Sequence, residues 1–184
     1  GSMLGLRALY LSINTLTGSL PSSFSNLVNL EYLFLNDNFL TGSIDPLGDM
    51  QSMVYLYANY NSFNGSIPAT FGTMPGLLYL LLNNNYLSGR VPDSIGNIST
   101  LVNLALYINS LTGPIPVSFC NLSQSLWYLG IDTNQFTGTI APCLGTLKKV
   151  VDFSLSENKL HGTIPSSLSD LTKIAYFAVD GNSL

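Results

Sequence analysis

Side chains able to do chemistry are few in this 184-residue sequence, which holds one histidine, two cysteines and ten acidic residues. His161 is a lone loop histidine, and with only two cysteines a structural zinc site is unsupported. Neither a Gly-x-Ser-x-Gly nor a His-Glu-x-x-His motif occurs. The acidic residues are scattered, so no motif supports a hydrolase built on paired carboxylates. We therefore expect no catalytic residue, no metal and no cofactor.

Charge and hydropathy exclude two further classes of function. The formal net charge is −4, and of the six Lys and Arg residues only Lys148 and Lys149 adjoin. A phosphate-reading surface needs clustered basic residues, so we expect no nucleic-acid partner. The densest apolar run, Gly76 to Leu82, is far shorter than the roughly 20 residues of a transmembrane helix. The sequence therefore predicts no membrane span, and the 46% apolar content excludes a disordered chain.

Eight asparagines recur with successive spacings of 24, 23, 24, 24, 25, 24 and 24 residues. They are Asn14, Asn38, Asn61, Asn85, Asn109, Asn134, Asn158 and Asn182. Each follows a pair of alternating apolar residues, and seven precede an apolar-x-Gly-x-apolar segment such as Leu16–Leu20. Those seven units close with an apolar anchor: Leu27, Met50, Met74, Ile98, Leu122, Leu147 or Leu171. The chain is therefore an array of repeats whose stacked coils share one core.

The Leu-Thr-Gly-x-Ile-Pro segment, as in Leu111–Pro116, makes the sequence resemble plant-type leucine-rich repeat proteins. That family includes the ectodomains of plant receptor kinases and receptor-like proteins, and the polygalacturonase-inhibiting proteins. The resemblance covers residues 4–184, as seven repeats and a partial eighth. It implies a leucine-rich repeat solenoid, a right-handed α/β superhelix with a parallel β-sheet on its concave face. The return segments are then turns and short 3-10 helices.

Each type of residue that recurs between the repeats has a structural role. Apolar residues alternating at period two predict a short strand with one buried face. The asparagine lies in the following turn, where its amide can satisfy backbone groups of adjacent coils. Glycine permits a backbone angle that other residues resist, and proline favours an extended or turn-like return over a long helix. Small changes in repeat length, at Ile44–Pro46 and before Leu126, fall in the return segments, where loops tolerate them.

Residues that alternate with the buried pairs must face outward from the concave sheet. Units one to four present aromatic rings flanked by asparagines, whereas units six to eight present small and acidic residues. Contiguous exposed aromatic residues indicate a binding surface, although rings stacked along a parallel sheet also support one another. We expect ligand contacts from Tyr32, Phe34, Asn36, Tyr55, Tyr57, Asn59, Tyr79, Leu81, Asn83, Tyr107 and Tyr128.

Cys120 and Cys143 lie in the return segments of adjacent units, two positions apart in the repeat register. Neighbouring coils near 5 Å apart bring a disulfide within reach, since Cα atoms of bonded cysteines lie roughly 4.4–6.8 Å apart. The two segments also resemble a cysteine pair often seen in plant receptor-like proteins. A disulfide suits an oxidising compartment, and the alternative is two small buried thiols.

Three Asn-x-Ser sequons occur at Asn64, Asn97 and Asn121. Asn97 and Asn121 occupy matching points of successive units, on the expected outer return, where glycans would leave the concave sheet free. Sequons arise by chance in a chain this rich in asparagine and serine. Together with the cysteine pair, they favour an extracellular or cell-surface location.

Three classes of function remain open from the sequence. The leading hypothesis is a non-enzymatic recognition module of a cell-surface receptor or secreted inhibitor, binding a peptide, glycan or protein on its concave face. The second is a structural solenoid that associates end to end. The third is ice binding by an ordered row of polar residues. That row contains Thr17, Thr41, Asn64, Ser88, Thr112, Thr137 and His161, which turn chemistry alone also explains.

The domain boundaries follow from the repeats. Residues 1–3, Gly-Ser-Met, look like the remnant of an expression tag, and residues 4–184 form a single domain. Because solenoids usually carry polar or cysteine-bearing caps and none is evident here, the sequence suggests a fragment of a longer protein or a chain trimmed to its ordered part.

Overall fold

The structure, a computed structural model, describes residues 3–184 as a solenoid of stacked coils. Residues Gly1 and Ser2 of the suggested tag remnant lie outside the described residues, and Met3 is exposed. The strands are β1 (Ala8–Tyr10), β2 (Thr17–Ser19), β3 (Tyr32–Phe34), β4 (Phe39–Gly42), β5 (Tyr55–Tyr57), β6 (Ser62–Gly65), β7 (Tyr79–Leu81), β8 (Tyr86–Arg90), β9 (Asn103–Ala105), β10 (Ser110–Pro114), β11 (Tyr128–Gly130), β12 (Gln135–Gly138), β13 (Asp152–Ser154), β14 (Lys159–Leu160) and β15 (Tyr176–Ala178).

A 3-10 helix connects each pair of neighbouring coils. The helices are η1 (Ser22–Asn26), η2 (Asp45–Leu47), η3 (Ala69–Thr73), η4 (Asp93–Asn97), η5 (Val117–Gln124), η6 (Pro142–Thr146) and η7 (Ser166–Asp170). Within residues 3–184 no α-helix occurs, so the α/β superhelix of this class is built here with 3-10 turns. The predicted solenoid with strands on one face and short return helices is confirmed.

The odd-numbered strands form the concave sheet, in the order β1-β3-β5-β7-β9-β11-β13-β15. All of its pairs are parallel, because each strand is separated from the next by one complete coil. The register aligns Tyr32 with Tyr55 and Tyr55 with Tyr79, as the repeat spacing predicts. The alternate residues, such as Leu56, Leu80 and Leu104, are fully buried in one continuous apolar core.

A second parallel sheet, which the sequence did not reveal, contains the seven even-numbered strands. Its strands are formed by the Leu-Thr-Gly segments, which sequence analysis treated only as turns. The first six contain a glycine with a positive φ, such as Gly113 at +81°, a conformation that costs glycine little, and β14 ends two residues before Gly162. The segments pair because stacking of the coils brings their backbones to strand spacing, a tertiary effect that local propensity does not report.

The repeated asparagines form side-chain hydrogen bonds that link each coil to the preceding one. Asn85 donates from Nδ2 to the carbonyls of Ala58 and Leu82, at 3.0 and 3.1 Å, while its Oδ1 accepts from the Phe63 N–H. Asn85 itself is buried, at 6% exposure. The predicted role of these amides as partners for backbone groups of adjacent coils is therefore confirmed.

The residue before the asparagine adopts the left-handed conformation in all eight coils: it is Gly181 in the last, and in the other seven it is a non-glycine residue with φ between 51° and 56°. These residues are Ile13, Asp37, Tyr60, Asn84, Ile108, Thr133 and Glu157. Such angles disfavour β-branched residues by roughly 1–2 kcal/mol, so the interlocked asparagine turn imposes them against local preference. Nothing in the amino-acid types at this position predicts the conformation, because Ile, Asp, Tyr, Asn, Thr and Glu all occupy it.

Differences in repeat length are absorbed in the return segments, as predicted. The coil with a 23-residue spacing contains the three-residue helix η2, whereas the 25-residue spacing coincides with the eight-residue helix η5. The strands on either side keep their register, since Leu104 still pairs with Leu129 across the longer coil. The concave surface is therefore regular even where the repeat is not.

Candidate ligand-binding surface

The concave sheet of units one to four carries six aromatic rings in two adjacent rows. We call these six residues the aromatic strip: Tyr10, Tyr32, Phe34, Tyr55, Tyr57 and Tyr79. Parallel strands lie roughly 4.8 Å apart, so side chains at matching positions form a nearly continuous surface. Apart from the exposed Tyr10, the rings are half-buried, because each covers part of its neighbour.

Ring contacts hold the aromatic strip together along the sheet. The centroids of Tyr32 and Tyr55 lie 5.3 Å apart and those of Tyr55 and Tyr79 lie 4.9 Å apart, both in edge-to-face geometry. In the second row, Phe34 lies 4.6 Å from Tyr57. Such pairs contribute roughly 0.5–1.5 kcal/mol beyond area burial. Lateral packing is therefore present, and it also orders the rings that face outward.

The environment of Tyr57 shows how tightly the rings are grouped. Burial raises the pKa of its phenol, and the nearby Tyr79 and Tyr55 raise it further. The phenol, neutral at physiological pH in any case, ionises even less readily here. A surface of neutral hydroxyls on stacked rings can contact apolar groups through the ring faces and polar groups through the hydroxyls.

The asparagine row beside the strip has mixed accessibility. Asn36 and Asn59 are half-buried, and each has a buried Oδ1 without a hydrogen-bond partner within residues 3–184. Asn83 is only 2% exposed, which makes it the least accessible residue of the expected ligand-binding set. Leu81 is half-buried and follows Tyr57 in the second row. The structure therefore leaves the tyrosines as the main accessible part of this surface.

At the other end of the concave sheet, residues from four coils surround a cavity of about 190 Å³. We call it the acidic phenol pocket, and its lining residues are Tyr107, Tyr128, Asp132, Asp152, Ser154 and Tyr176. Only Tyr107 and Tyr128 belong to the ligand-binding set expected from the sequence. The repeat pattern places Asp132, Asp152, Ser154 and Tyr176 on the outward face of the sheet. It does not show that their side chains point toward one common space.

Electrostatics in the acidic phenol pocket favour neutral forms of its titratable groups. Burial raises the pKa of Tyr128 well above its usual range, and Tyr107 and Asp152 add to the effect. Burial also raises the pKa of Tyr107, with a further contribution from Tyr60. The pKa of the Asp152 carboxyl is raised by burial and then by the charge of Asp132. The effect of Asp132 on Asp152 shows that the two carboxylates repel each other, and within residues 3–184 neither forms an ion pair.

The two cysteines lie on the return side, away from the concave sheet. The structure places the sulfur atoms of Cys120 and Cys143 at bonding distance, with their Cα atoms 5.7 Å apart. Cys120 is in η5 and Cys143 is in η6, so the bond would join two neighbouring return helices.

The sequon asparagines are all exposed and lie outside the concave sheet. Asn64 is in strand β6 of the second sheet, Asn97 ends helix η4, and Asn121 is within helix η5. Glycans at these positions would leave the aromatic strip and the acidic phenol pocket uncovered.

Other features offer no chemistry of their own. Over residues 3–184, no group of three or more His, Cys, Asp or Glu side chains could hold a metal ion. In the same part of the chain, every helix is too short or too polar to cross a membrane. A larger depression of about 460 Å³ lies between the return segments of units six and seven, but Thr, Pro, Gly and Ser residues dominate its lining.

Comparison with known proteins agrees with this architecture. The leucine-rich repeat family model matches residues 5–27, 29–50, 76–98 and 149–171. The ectodomain of the receptor kinase GASSHO1/SCHENGEN3 from Arabidopsis thaliana, solved with CASPARIAN STRIP INTEGRITY FACTOR 2, is 36% identical over 96% of this chain, with a TM-score of 0.93. The chain belongs to the plant-type leucine-rich repeat family.

Two further structures share the leucine-rich repeat solenoid. The Arabidopsis receptor kinase HAESA, in complex with an IDA peptide hormone, is 33% identical over 96% of this chain, with a TM-score of 0.89. A plant ice-binding protein is 26% identical over 95%, with a TM-score of 0.81. The chain spans 21% of the GASSHO1/SCHENGEN3 ectodomain chain, 30% of the HAESA chain and 56% of the ice-binding chain. No curated protein sequence matches this leucine-rich repeat chain.

Proposed function

We propose that this leucine-rich repeat chain is a non-enzymatic extracellular recognition module that binds a peptide on its concave face. The observation that carries the proposal is the aromatic strip, in which Tyr32, Tyr55 and Tyr79 align on consecutive strands. Surface aromatic residues in contact with one another are enriched at sites of protein recognition. Similar ectodomains have been solved in complex with peptide hormones, which supports a peptide over a glycan or a folded protein.

The geometry of the strip suits an extended chain. Its rings form a row across four parallel strands, and a ligand lying across the strands would meet one or two rings per coil. Ring faces would contact apolar side chains, while the phenol hydroxyls would bond to peptide groups. An extracellular location is supported by the exposed sequons and by the paired Cys120 and Cys143.

A peptide and glycan array probed with the intact protein tests this proposal. We expect enrichment of peptides, with binding reduced at least tenfold in Tyr55→Ala. Tyr86→Ala is the matched control, because Tyr86 is 66% exposed but lies on the second sheet. Equal loss in both variants, or selection of glycans alone, would overturn the peptide assignment. Light scattering over a range of concentrations tests the structural alternative, in which the mass would rise through end-to-end association.

Ice binding is a second candidate function, supported by a separate observation. The second sheet displays exposed polar side chains at one recurring position of the repeat, including Thr17, Thr41, Ser88 and Thr137, although the register of this sheet pairs Thr41 with Ser19 and Ser62. A plant ice-binding protein shares the fold over 95% of this chain. Thermal hysteresis measured for the wild type and for Thr41→Val and Thr137→Val tests this candidate, and freezing behaviour unchanged from buffer would exclude it.

A further inference from the structure

The acidic phenol pocket is a cavity lined by side chains, whereas the aromatic strip is an open surface. Its six lining residues come from four consecutive coils, so the cavity exists only in the stacked solenoid. Tyr107 and Asp132 each lie two residues before a repeated asparagine. Tyr128, Asp152 and Tyr176 are aligned as the first residues of β11, β13 and β15. Two carboxylates, three phenols and one hydroxyl thus converge on a space of about 190 Å³, which is several water volumes.

Small residues in the second outward row open this space. Ala105, Gly130, Ser154 and Ala178 align on consecutive strands, where units two and three carry Phe34 and Tyr57. A Cβ built on Gly130 would lie 2.7 Å from the Tyr128 hydroxyl oxygen. The Tyr128 ring therefore lies over Gly130. Any larger residue at position 130 would collide with the ring and displace it from the pocket wall.

Among the described residues, no ion pair compensates the negative charge of the pocket. The ion pairs of residues 3–184 are Arg7–Glu31 and Lys148–Asp170, and neither involves Asp132 or Asp152. The eight strands of the concave sheet contain no Lys, Arg or His. Two neighbouring carboxylates in a partly desolvated site repel each other, and a bound cation would relieve that repulsion.

Ser154 supplies an independent indication of a ligand. It is 7% exposed and lines the cavity, yet its hydroxyl forms no hydrogen bond with any residue in the described part of the chain. Because Ser154 lines the cavity, its hydroxyl is open to a bound molecule rather than enclosed by protein. Its oxygen is an acceptor without a donor, in a pocket whose other groups are also rich in acceptors.

We propose that the acidic phenol pocket binds the guanidinium group of an arginine side chain of the ligand. A guanidinium is planar, carries five N–H donors and stacks on aromatic faces, so it can bond to Asp132, Asp152 and Ser154 between the tyrosine rings. Paired carboxylate contacts of this kind are short, charge-assisted and geometrically specific. The inference rests on the proposed function, because it assigns one chemical group of the ligand to one end of the concave face.

A titration with a small probe tests the pocket without the natural ligand. Nα-acetyl-arginine N-methylamide would be added to isotope-labelled protein, and chemical shifts would be followed for the tyrosine rings and for the Ser154 amide. We expect saturable shifts of Tyr107, Tyr128 and Ser154. The citrulline analogue, which has the same shape without the charge, should bind at least tenfold more weakly.

Variants separate the pocket from general electrostatic attraction. Asp152→Asn should weaken arginine binding at least fivefold, and Gly130→Ala should weaken it by displacing Tyr128. Glu157→Gln removes one exposed negative charge near this end of the sheet and should leave binding within twofold. Unperturbed strand signals in each spectrum would show that the variant is folded.

The outcomes distinguish this inference from the proposed function. Equal binding of citrulline, unchanged binding in Asp152→Asn, or shifts confined to other residues would each overturn the guanidinium assignment. If the array yields no peptide while the arginine probe still binds here, the pocket stands and the peptide-recognition proposal fails. If the array yields a peptide whose arginines can all be replaced by citrulline without loss, the pocket assignment alone fails.

Discussion

The backbone N–H of Leu87 donates a 2.9 Å hydrogen bond to Oδ1 of Asn109, which lies in the following coil. Nδ2 of the same amide donates to the carbonyl of Leu82 at 3.0 Å and to that of Leu106 in its own turn. One side chain therefore joins two coils and closes a turn. The same arrangement recurs along the chain and provides hydrogen-bond partners for backbone N–H and C=O groups that are not paired within either sheet.

Removing this amide should destabilise the solenoid. We expect Asn109→Ala to lower the free energy of unfolding by at least about 1–3 kcal/mol, because it leaves buried backbone groups without partners. Asn14→Ala is the matched control, since Asn14 bonds only to Leu11 and Ser12 of its own turn in the described chain. Urea unfolding followed by circular dichroism measures both changes, and equal losses would contradict a role between coils.

The continuous core predicts a large effect of a single truncation. Leu104 is fully buried in the middle coil. We expect Leu104→Ala to cost about 2–5 kcal/mol, through lost burial and the cavity that remains. Leu4→Ala, at a position that is 57% exposed, should change the urea midpoint little. A midpoint that barely moves in Leu104→Ala would show that the inward register is wrong.

The positions of Cys120 and Cys143 lead to a chemical prediction. With Cα atoms 5.7 Å apart, the residues can bond without moving the backbone. Protein produced under oxidising conditions should yield one peptide that contains both cysteines in a non-reducing map. Two free thiols in such protein would refute the bond and weaken the extracellular placement.

The contrast between the two ends of the concave face predicts unequal binding losses. Once a peptide ligand has been selected, Tyr55→Ala and Tyr79→Ala should each weaken binding by about 2 kcal/mol or more, as expected for central aromatic anchors. Asp152→Asn should have a smaller effect that diminishes at high salt. Calorimetric titration of all three variants measures the difference. A larger loss in the aspartate variant would move the main contact to the acidic phenol pocket.

The environment of Asp152 predicts a dependence of stability on pH. Burial, followed by the charge of Asp132, raises the pKa of this carboxyl in the folded state. Its stabilising contribution is therefore fully present below the unfolded pKa of about 3.9 and is lost as pH rises through the folded pKa. We expect Asp152→Asn to gain thermal stability relative to the wild type as pH rises from about 4 to 7.

Melting temperatures of the wild type and Asp152→Asn across this range provide the measurement. The exposed Asp93, in the first turn of η4, offers the control variant Asp93→Asn. A constant difference between wild type and Asp152→Asn at every pH would contradict the raised pKa.

The sequence alone determined the repeat, the inward leucines, the outward rows and the tasks of the asparagines. It could do so because each coil contacts only its neighbours, so positions one repeat apart in sequence are adjacent in space. The alignment of Tyr32 with Tyr55, and the burial of anchors such as Leu122, follow directly from a spacing of about 24 residues. The predicted return helices depended on the same repeat pattern and on the family resemblance.

Only the tertiary structure decided features that depend on how the coils approach one another. The second sheet forms because stacking places extended segments at hydrogen-bonding distance, and the left-handed Ile108 is imposed by the locked turn. Neither is encoded by local propensity. The burial of Asn83 and the lean of Tyr128 over Gly130 depend on side-chain packing between neighbours. A row pattern gives the order of outward residues, whereas a pocket requires the directions in which they point.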